Sequence, residues 1–199
     1  MQNRFVHLHL HTEYSLVDGL IEVGAMMETA LQDQTAALAV TEYGNLFSLI
    51  KFYRQAQKSG IKPVIGAELR LYETESDRDN SNIILLCQNQ TGYRNLARLV
   101  TRSYVEGQHQ GVPHIQRNWL PGNTDGLIAM SCAREGNIGK AIINRNNTAA
   151  ALYLQEWTVL FPDRFYLELQ RTGRQHEDIY IEEAVRLACD VNVPVVATN

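Results

Sequence analysis

The chain has 199 residues, 45% of them hydrophobic, and 18 basic against 22 acidic side chains give it a formal net charge of −4. This length fits about one domain with a core large enough to fold without disulfide or metal staples, and the charge excludes a wholly basic nucleic-acid coat or a polybasic membrane anchor. Because there is no CxxC pair, no signal peptide and no apolar run near the ~20 residues that span a bilayer, we expect a cytosolic protein without zinc fingers.

Strand-like and helix-like segments alternate along the chain. Short apolar and β-branched runs predict strands at residues 5–10, 36–40, 63–71, 83–87, 127–131, 165–169 and 193–197. The intervening patterns predict helices at 22–32, 46–59, 92–105 and 177–192, and one more that ends near 161. Residues 73–81 are predicted as a polar, acidic loop and 107–126 as a long connection. This order predicts an α/β fold with a mainly parallel sheet or barrel, whose chemistry lies at the carboxyl ends of the strands.

The first predicted strand carries histidines at every second position. His7, His9 and His11 alternate with Leu8 and Leu10. Since residues two apart on a strand project from one face, we expect the imidazoles together on one side and the leucines on the other. Neutral imidazoles in this arrangement are good ligands for Zn²⁺, Mn²⁺ or Fe²⁺. Histidines that are solvated or satisfied in the core are the alternative.

Carboxylates near later strands could complete such a site. Asp18 follows the first predicted strand, Glu42 follows the second, and Glu68 lies within the third. Together with histidines, such groups can form a metal cluster that binds phosphate oxygens. Each of them alone is also typical of a cap, a turn or a surface position.

Several blocks of sequence resemble one known family. Residues 7–19, HLHLHTEYSLVDG, resemble the opening motif of the PHP (polymerase and histidinol phosphatase) domain. Residues 60–66, 91–96, 161–169 and 193–199 are similar to the form of this domain that begins the α subunit of bacterial replicative DNA polymerase III. The resemblance covers essentially the whole chain. It implies a distorted seven-stranded (β/α) barrel of the PHP type, truncated at its C-terminal end. Residues 1–199 would then be most of one PHP domain, an N-terminal fragment of a much longer polymerase chain.

The resemblance also implies a metal site that this chain has partly lost. The family's first ligands carry over to His9 and His11, and a later acidic ligand carries over to Glu68. Where the family has Thr-Asp-His, this chain has Thr41, Glu42 and Tyr43, and a phenol with a pKa near ~10 is a poor substitute for imidazole. Three further ligand positions are occupied by Asn82, by Ala133 (with Cys132 one place off) and by Thr172. A final Asp-x-His would lie past Asn199. We therefore expect no catalytic residue and a degenerate centre, with these vestigial candidate ligands: His7, His9, His11, Asp18, Glu42 and Glu68.

The resemblance implies a role in replication rather than a free-standing enzyme. We expect a structural module that braces the rest of the α subunit and binds the separate proofreading exonuclease subunit. Template-directed nucleotidyl transfer and DNA binding would belong to the full-length polymerase, and no membrane partner is expected. No tightly bound cofactor is expected beyond a residual Zn, Mn or Mg ion. The alternatives are an active metal-dependent phosphoesterase (a 3′–5′ exonuclease or a pyrophosphatase) and, more remotely, a biosynthetic phosphatase.

Overall fold

Strands and helices alternate through the computed structural model, which describes residues 5–16, 18–72 and 80–198. The strands are β1 Ala37–Tyr43, β2 Lys62–Tyr72, β3 Ser81–Cys87, β4 Gln108–His109, β5 Val112–Pro113, β6 Ile115–Gln116, β7 Leu127–Met130, β8 Phe165–Gln170 and β9 Val195–Thr198. The helices are α1 Val23–Gln32, α2 Leu49–Lys58, α3 Gln90–Val105, α4 Asn137–Ile143, α5 Asn147–Leu160 and α6 Glu177–Val191. None of these helices combines the length and the apolar character needed to cross a membrane.

The main sheet has seven strands in the order β1-β2-β3-β7-β8-β9, with β6 paired beside β2. Neighbouring strands run parallel except around β3, which is antiparallel to both β2 and β7. β2 ends at Tyr72 and β3 begins at Ser81, and an antiparallel pair does not need the long crossover connection that a parallel pair requires. The predicted α/β class with a mainly parallel sheet is confirmed. Most of the predicted acidic loop, residues 73–79, lies outside the described residues.

Both faces of the sheet are covered, as β3 illustrates. Ile83 and Leu85 belong to the larger hydrophobic core, which the helices α3, α5 and α6 cover. Ile84 and Leu86 point the other way and pack with Met130 inside the curl of the sheet. Successive side chains of a strand point to opposite faces, so an unbroken apolar run is what a strand buried on both sides requires.

The structure corrects the prediction of a first strand at residues 5–10, which form no regular strand. The Ala39 N–H donates to the His7 carbonyl and the Thr41 N–H donates to the Leu10 carbonyl, both at 2.9 Å. Between these two hydrogen bonds the N-terminal segment advances by three residues, whereas β1 advances by two. The extra residue interrupts the hydrogen-bond ladder as in a β-bulge. In consequence Leu8 packs inside the curl of the sheet while Leu10 packs with the core under α1 and α2, so the two leucines do not share a face.

Candidate functional site

A cavity of about 380 Å³ is lined by the segment 7–11, which runs alongside β1, and by residues of the curled sheet. The segment contributes His9 and His11, β2 contributes Glu68, and the turn after β7 contributes Cys132. Cys132 follows the carboxyl end of β7, and Gln170 and Arg174, at and after the end of the parallel strand β8, also line the cavity; this is the edge at which α/β folds carry their chemistry.

Glu68 is the centre of the site. Its Oε2 accepts hydrogen bonds from Nε2 of His9 and from Nε2 of His11, both at 2.8 Å. Its Oε1 accepts from Nδ2 of Asn82 at 2.5 Å and from the Cys132 thiol at 3.3 Å. Burial and the nearby carboxylates Glu68 and Glu168 raise the pKa of the Cys132 thiol, so the thiol stays protonated and donates. Four donors therefore converge on a carboxylate that is only 4% exposed.

His9 lies between two carboxylates. Its Nε2 faces Glu68, and its Nδ1 lies 2.7 Å from Oε1 of Glu168. Burial by itself lowers the pKa of His9, but hydrogen bonds and charge from Glu168 and Glu68 outweigh burial and raise that pKa to about 10. Burial likewise acts to raise the pKa of Glu68, but the hydrogen bonds from His11 and His9 hold it well below its usual range. At neutral pH the site thus contains an imidazolium between two carboxylates.

Glu168 is a site residue that sequence reasoning missed, as are Gln170 and Arg174, which line the cavity. Besides His9, Oε1 of Glu168 accepts from the Thr198 hydroxyl at 2.5 Å, and its backbone carbonyl accepts from the Tyr180 hydroxyl at 2.5 Å. Its Oε2 is buried and has no hydrogen-bond partner among the described residues. The available signal was a single charge between Leu167 and Leu169 in an otherwise apolar strand.

Glu42 does not line the cavity, and its carboxylate instead accepts hydrogen bonds from the end of the histidine segment. Its carboxylate, 1% exposed, accepts from the backbone N–H of Thr12 at 3.1 Å, from the Thr12 hydroxyl, and from the Ser15 hydroxyl at 2.5 Å. These bonds fasten the histidine segment to the end of β1. Glu42 therefore positions His9 and His11 rather than joining them.

Asp18 and His7 lie at the edge of the cavity. Oδ2 of Asp18 is 3.3 Å from Nδ1 of His11, but the Asp18 side chain is 71% exposed. His7 lines the cavity and stands edge-on to Phe5, with 4.9 Å between ring centres.

The four degenerate positions have different surroundings. Asn82 bonds Glu68 directly, and the Tyr43 hydroxyl accepts a hydrogen bond from Nε of Arg70. Ala133 is buried in a short 3₁₀ turn, and its neighbour Cys132 is the residue that reaches Glu68. Thr172 bonds the carboxylate of Glu177 at the start of α6, and it does not line the cavity.

The donor set fits one divalent ion better than a cluster. His9, His11 and Glu68 each offer a ligand atom, and these atoms lie within 4.8 Å of one another. Two imidazoles and a carboxylate with an open position are a common catalytic set for Zn²⁺. Tyr43 and Asn82 add a phenol and an amide where further ligands are needed. The described residues therefore fit a single ion and do not fit a multinuclear centre.

The chain as a whole is similar to a family model and to several known proteins. The model of the PHP domain family matches residues 7–172. DNA polymerase III subunit alpha of Pseudomonas fluorescens is 45% identical over 199 residues, covering 100% of this chain and 17% of that protein. The Escherichia coli K12 protein of the same name is 38% identical over 196 residues, covering 98% of this chain and 17% of its own length. The chain thus spans about a sixth of these relatives and matches their N-terminal region.

Solved structures share the fold at low sequence identity. An amidohydrolase from Chromobacterium violaceum, solved with bound sulfate and no metal, aligns with a TM-score of 0.59 at 13% identity over 98% of this chain and 86% of its own. A two-domain protein from Bacteroides vulgatus, containing a predicted PHP-like metal-dependent phosphoesterase, aligns with a TM-score of 0.58 at 14% identity over 98% of this chain and 50% of its own. With the family model matching most of its residues, this chain belongs to the PHP domain family.

Proposed function

We propose that this chain is the N-terminal PHP domain of a bacterial DNA polymerase III α subunit and that it works there without hydrolytic chemistry. In this proposal it braces the polymerase, which carries out template-directed DNA synthesis, and it binds the separate proofreading exonuclease subunit. The names of the relatives support the polymerase context. The observation that supports the loss of hydrolysis is the phenol of Tyr43 and the amide of Asn82 at positions where the resemblance implies histidines, with Asn82 hydrogen-bonded to Glu68.

The hydrogen bonds of His9 to Glu68 and Glu168 also oppose metal binding, because a ligand nitrogen must first lose its proton. Here the proton on Nε2 of His9 is bound by Oε2 of Glu68, the same oxygen that His11 uses. A divalent ion would have to displace both hydrogen bonds. A protonated His9 already offsets the negative charge of Glu68 and Glu168. A metal ion would therefore gain less electrostatic stabilisation from these carboxylates.

The same contacts support a bracing role. Glu68 on β2, Cys132 after β7, Glu168 on β8 and Thr198 on β9 are joined through hydrogen bonds that meet at or beside His9. Elements distant in sequence are thereby tied across the open side of the sheet. The satisfied groups of such a buried polar network favour one arrangement of the strands, and Oε2 of Glu168 is the carboxylate oxygen of this network that has no partner among the described residues.

One observation favours a second candidate, a metal-dependent phosphoesterase: the ligand atoms of His9, His11 and Glu68 are close enough for one ion. A Zn, Mn or Mg ion held there would supply a bound water of lowered pKa. His9 would then lose the proton on Nε2, and Glu168 would accept a hydrogen bond from Nδ1 and fix the ring. The Arg174 guanidinium lines the same cavity and could bind a phosphate oxygen.

The two candidates are separated by assays on the full-length protein that carries this chain. The substitution His11→Gln removes one ligand but keeps an amide donor for Glu68, and His7→Gln is the control at the cavity edge. We expect both variants to extend primers and capture the exonuclease subunit as the wild type does, with no hydrolysis of phosphodiesters. Chelator-sensitive hydrolysis that is lost in His11→Gln and kept in His7→Gln would support the phosphoesterase instead. Failure of the wild type to capture the exonuclease subunit would reject the proposed partner.

A further inference from the structure

Four side chains form a block beside the histidine–carboxylate cluster. Tyr43 pairs in register with Glu68 across β1 and β2, and Arg70 pairs with Asn82 across β2 and β3. Because Glu68 and Arg70 are two residues apart on one strand, their side chains leave the same face. At positions 43 and 82, where the family resemblance implies histidines, a phenol and an amide stand beside Glu68, with a guanidinium next to them.

The contacts in this block hold Arg70 in place. Nε of Arg70 donates to the Tyr43 hydroxyl, and Cζ of Arg70 lies 4.8 Å from the centre of the Tyr43 ring. A phenol, with an ordinary pKa near ~10, is neutral in the physiological pH range. On the other side, Nδ2 of Asn82 donates to Oε1 of Glu68 at 2.5 Å. The Arg70 guanidinium is therefore held against the neutral phenol of Tyr43. It lies two residues along β2 from Glu68, the carboxylate at the centre of the site.

The charge of this region is unfavourable for a cation. A guanidinium keeps its positive charge throughout the physiological pH range. Arg70 and Lys140 line one cavity of about 420 Å³ together with Tyr43 and Asn82, and Glu135 is the carboxylate among its described lining residues. Like charges repel more strongly as water is excluded, so a divalent ion placed here would meet two positive side chains and one negative one.

We propose that the Arg70 guanidinium takes the place of a metal ion beside Tyr43 and Asn82, in the cavity of about 420 Å³. It supplies positive charge beside Glu68, stabilises the block through Tyr43, and keeps a second divalent ion out even when ligands are available. This inference rests on the proposed loss of the metal centre and names the residue that maintains it. Neither the neutral phenol nor the amide of Asn82 could exclude an ion by charge.

The test restores ligands with and without Arg70. Tyr43→His and Asn82→His together return imidazoles to two positions, and a triple variant adds Arg70→Met, which keeps an unbranched side chain against residue 43. The control triple variant adds Arg54→Met instead, a charge removed from the exposed side of α2. Zn²⁺ and Mn²⁺ binding is measured by titration and elemental analysis of the full-length protein that carries this chain, after gel filtration.

We expect the Arg70→Met triple variant to bind one more ion per chain than the double variant, or to bind it at least about tenfold more tightly. The Arg54→Met control should match the double variant. Equal binding with and without Arg70, or no added ion in a folded Arg70→Met triple variant, would overturn the inference. In the wild-type background, Arg70→Met should lower the melting temperature and Arg70→Lys should recover most of the loss; an unchanged melting temperature in Arg70→Met also overturns it. Two or more ions in the wild type would reject the proposed function itself.

Discussion

Oε1 of Glu168 lies 2.7 Å from Nδ1 of His9, although the two residues are 159 positions apart in the chain. The contact joins the segment that runs along β1 to β8, near the other end of the sheet. It also fixes the proton on Nδ1, so that Nε2 points at Glu68. A buried ion pair thus joins the two sides of the curled sheet at the candidate site.

Replacing Glu168 by Gln should destabilise the domain. The amide keeps the size of the side chain but leaves the His9 imidazolium with one carboxylate instead of two. Breaking a buried charged pair costs about 3–5 kcal/mol, and a neutral isostere that keeps part of the hydrogen bonding should cost about 1–3 kcal/mol. Urea unfolding monitored by circular dichroism measures the difference. Glu106→Gln, which removes a surface ion pair with Arg102, is the control and should cost at most about 1 kcal/mol. Equal effects of the two substitutions would contradict the buried pair.

The stability of the domain should decrease as the pH rises above about 6.5. The pKa of His9 is raised in the folded state from an ordinary value of 6.5 to about 10, so its contribution is complete below 6.5 and is lost as the pH approaches 10. The loss should be on the order of a few kcal/mol. Glu68 acts in the opposite direction, since its lowered pKa gives stability that is lost as the pH falls below its ordinary value of 4.5. Denaturant unfolding between about pH 2 and 10 tests both limbs, and His9→Gln should flatten the alkaline one. An alkaline limb of equal slope in His9→Gln would show that another group causes it.

Glu42→Gln should loosen the histidine segment. One carboxylate oxygen becomes an amide nitrogen, which cannot accept the hydrogen bonds from Thr12 or Ser15, and an unmet buried donor costs about 1–3 kcal/mol. Hydrogen exchange measured by mass spectrometry should show faster exchange at residues 8–15. Glu13→Gln breaks the exposed ion pair with Lys51 and serves as the control, with a cost of at most about 1 kcal/mol. If exchange at residues 8–15 is unchanged in Glu42→Gln, that carboxylate does not hold the segment.

Two glycines should respond in opposite ways to alanine. A Cβ on Gly92, in the first turn of α3, would lie 1.8 Å from the carbonyl oxygen of Gly126. Gly92→Ala should therefore force α3 away from the start of β7 and cost about 1–3 kcal/mol or more. A Cβ on Gly24, in α1, meets nothing within 4 Å, and alanine there should stabilise the helix by up to about 1 kcal/mol. Melting temperatures of the two variants should shift in opposite directions, and a shift of the same sign in both would count against this packing.

The local spacing of apolar residues predicted most of the helices and strands, because the two structures differ in the period at which apolar residues recur. The predicted strand at 83–87 is observed at Ser81–Cys87, and the predicted helix at 92–105 is observed at Gln90–Val105. The strand predicted at 5–10 is not formed. Its alternating histidines and leucines have the period of a strand. A regular ladder also requires the segment and β1 to advance by the same number of residues, and residues 7–10 do not keep step with 39–41.

The candidate site was predictable only where its residues lie close together in sequence. His9 and His11 can be recognised from their spacing in the sequence, and in the structure both donate hydrogen bonds to Glu68. Glu168 reaches them through the order of the strands in the sheet, which no local pattern encodes. The same reason accounts for Cys132, which lies one residue before the ligand position implied by the family resemblance. The left-handed backbone after β7 turns its thiol toward Glu68.

The metal content of the protein tests the central claim most directly. Purified protein is incubated with Zn²⁺ and Mn²⁺, separated from free ions by gel filtration, and analysed for metal per chain. An internal cation at His9 and a phenol and an amide at positions 43 and 82 predict no more than one ion per chain, held weakly enough for a mild chelator to remove it. Two or three ions retained at near-stoichiometric occupancy would contradict the account and make His9, His11 and Glu68 ligands of a working metal centre.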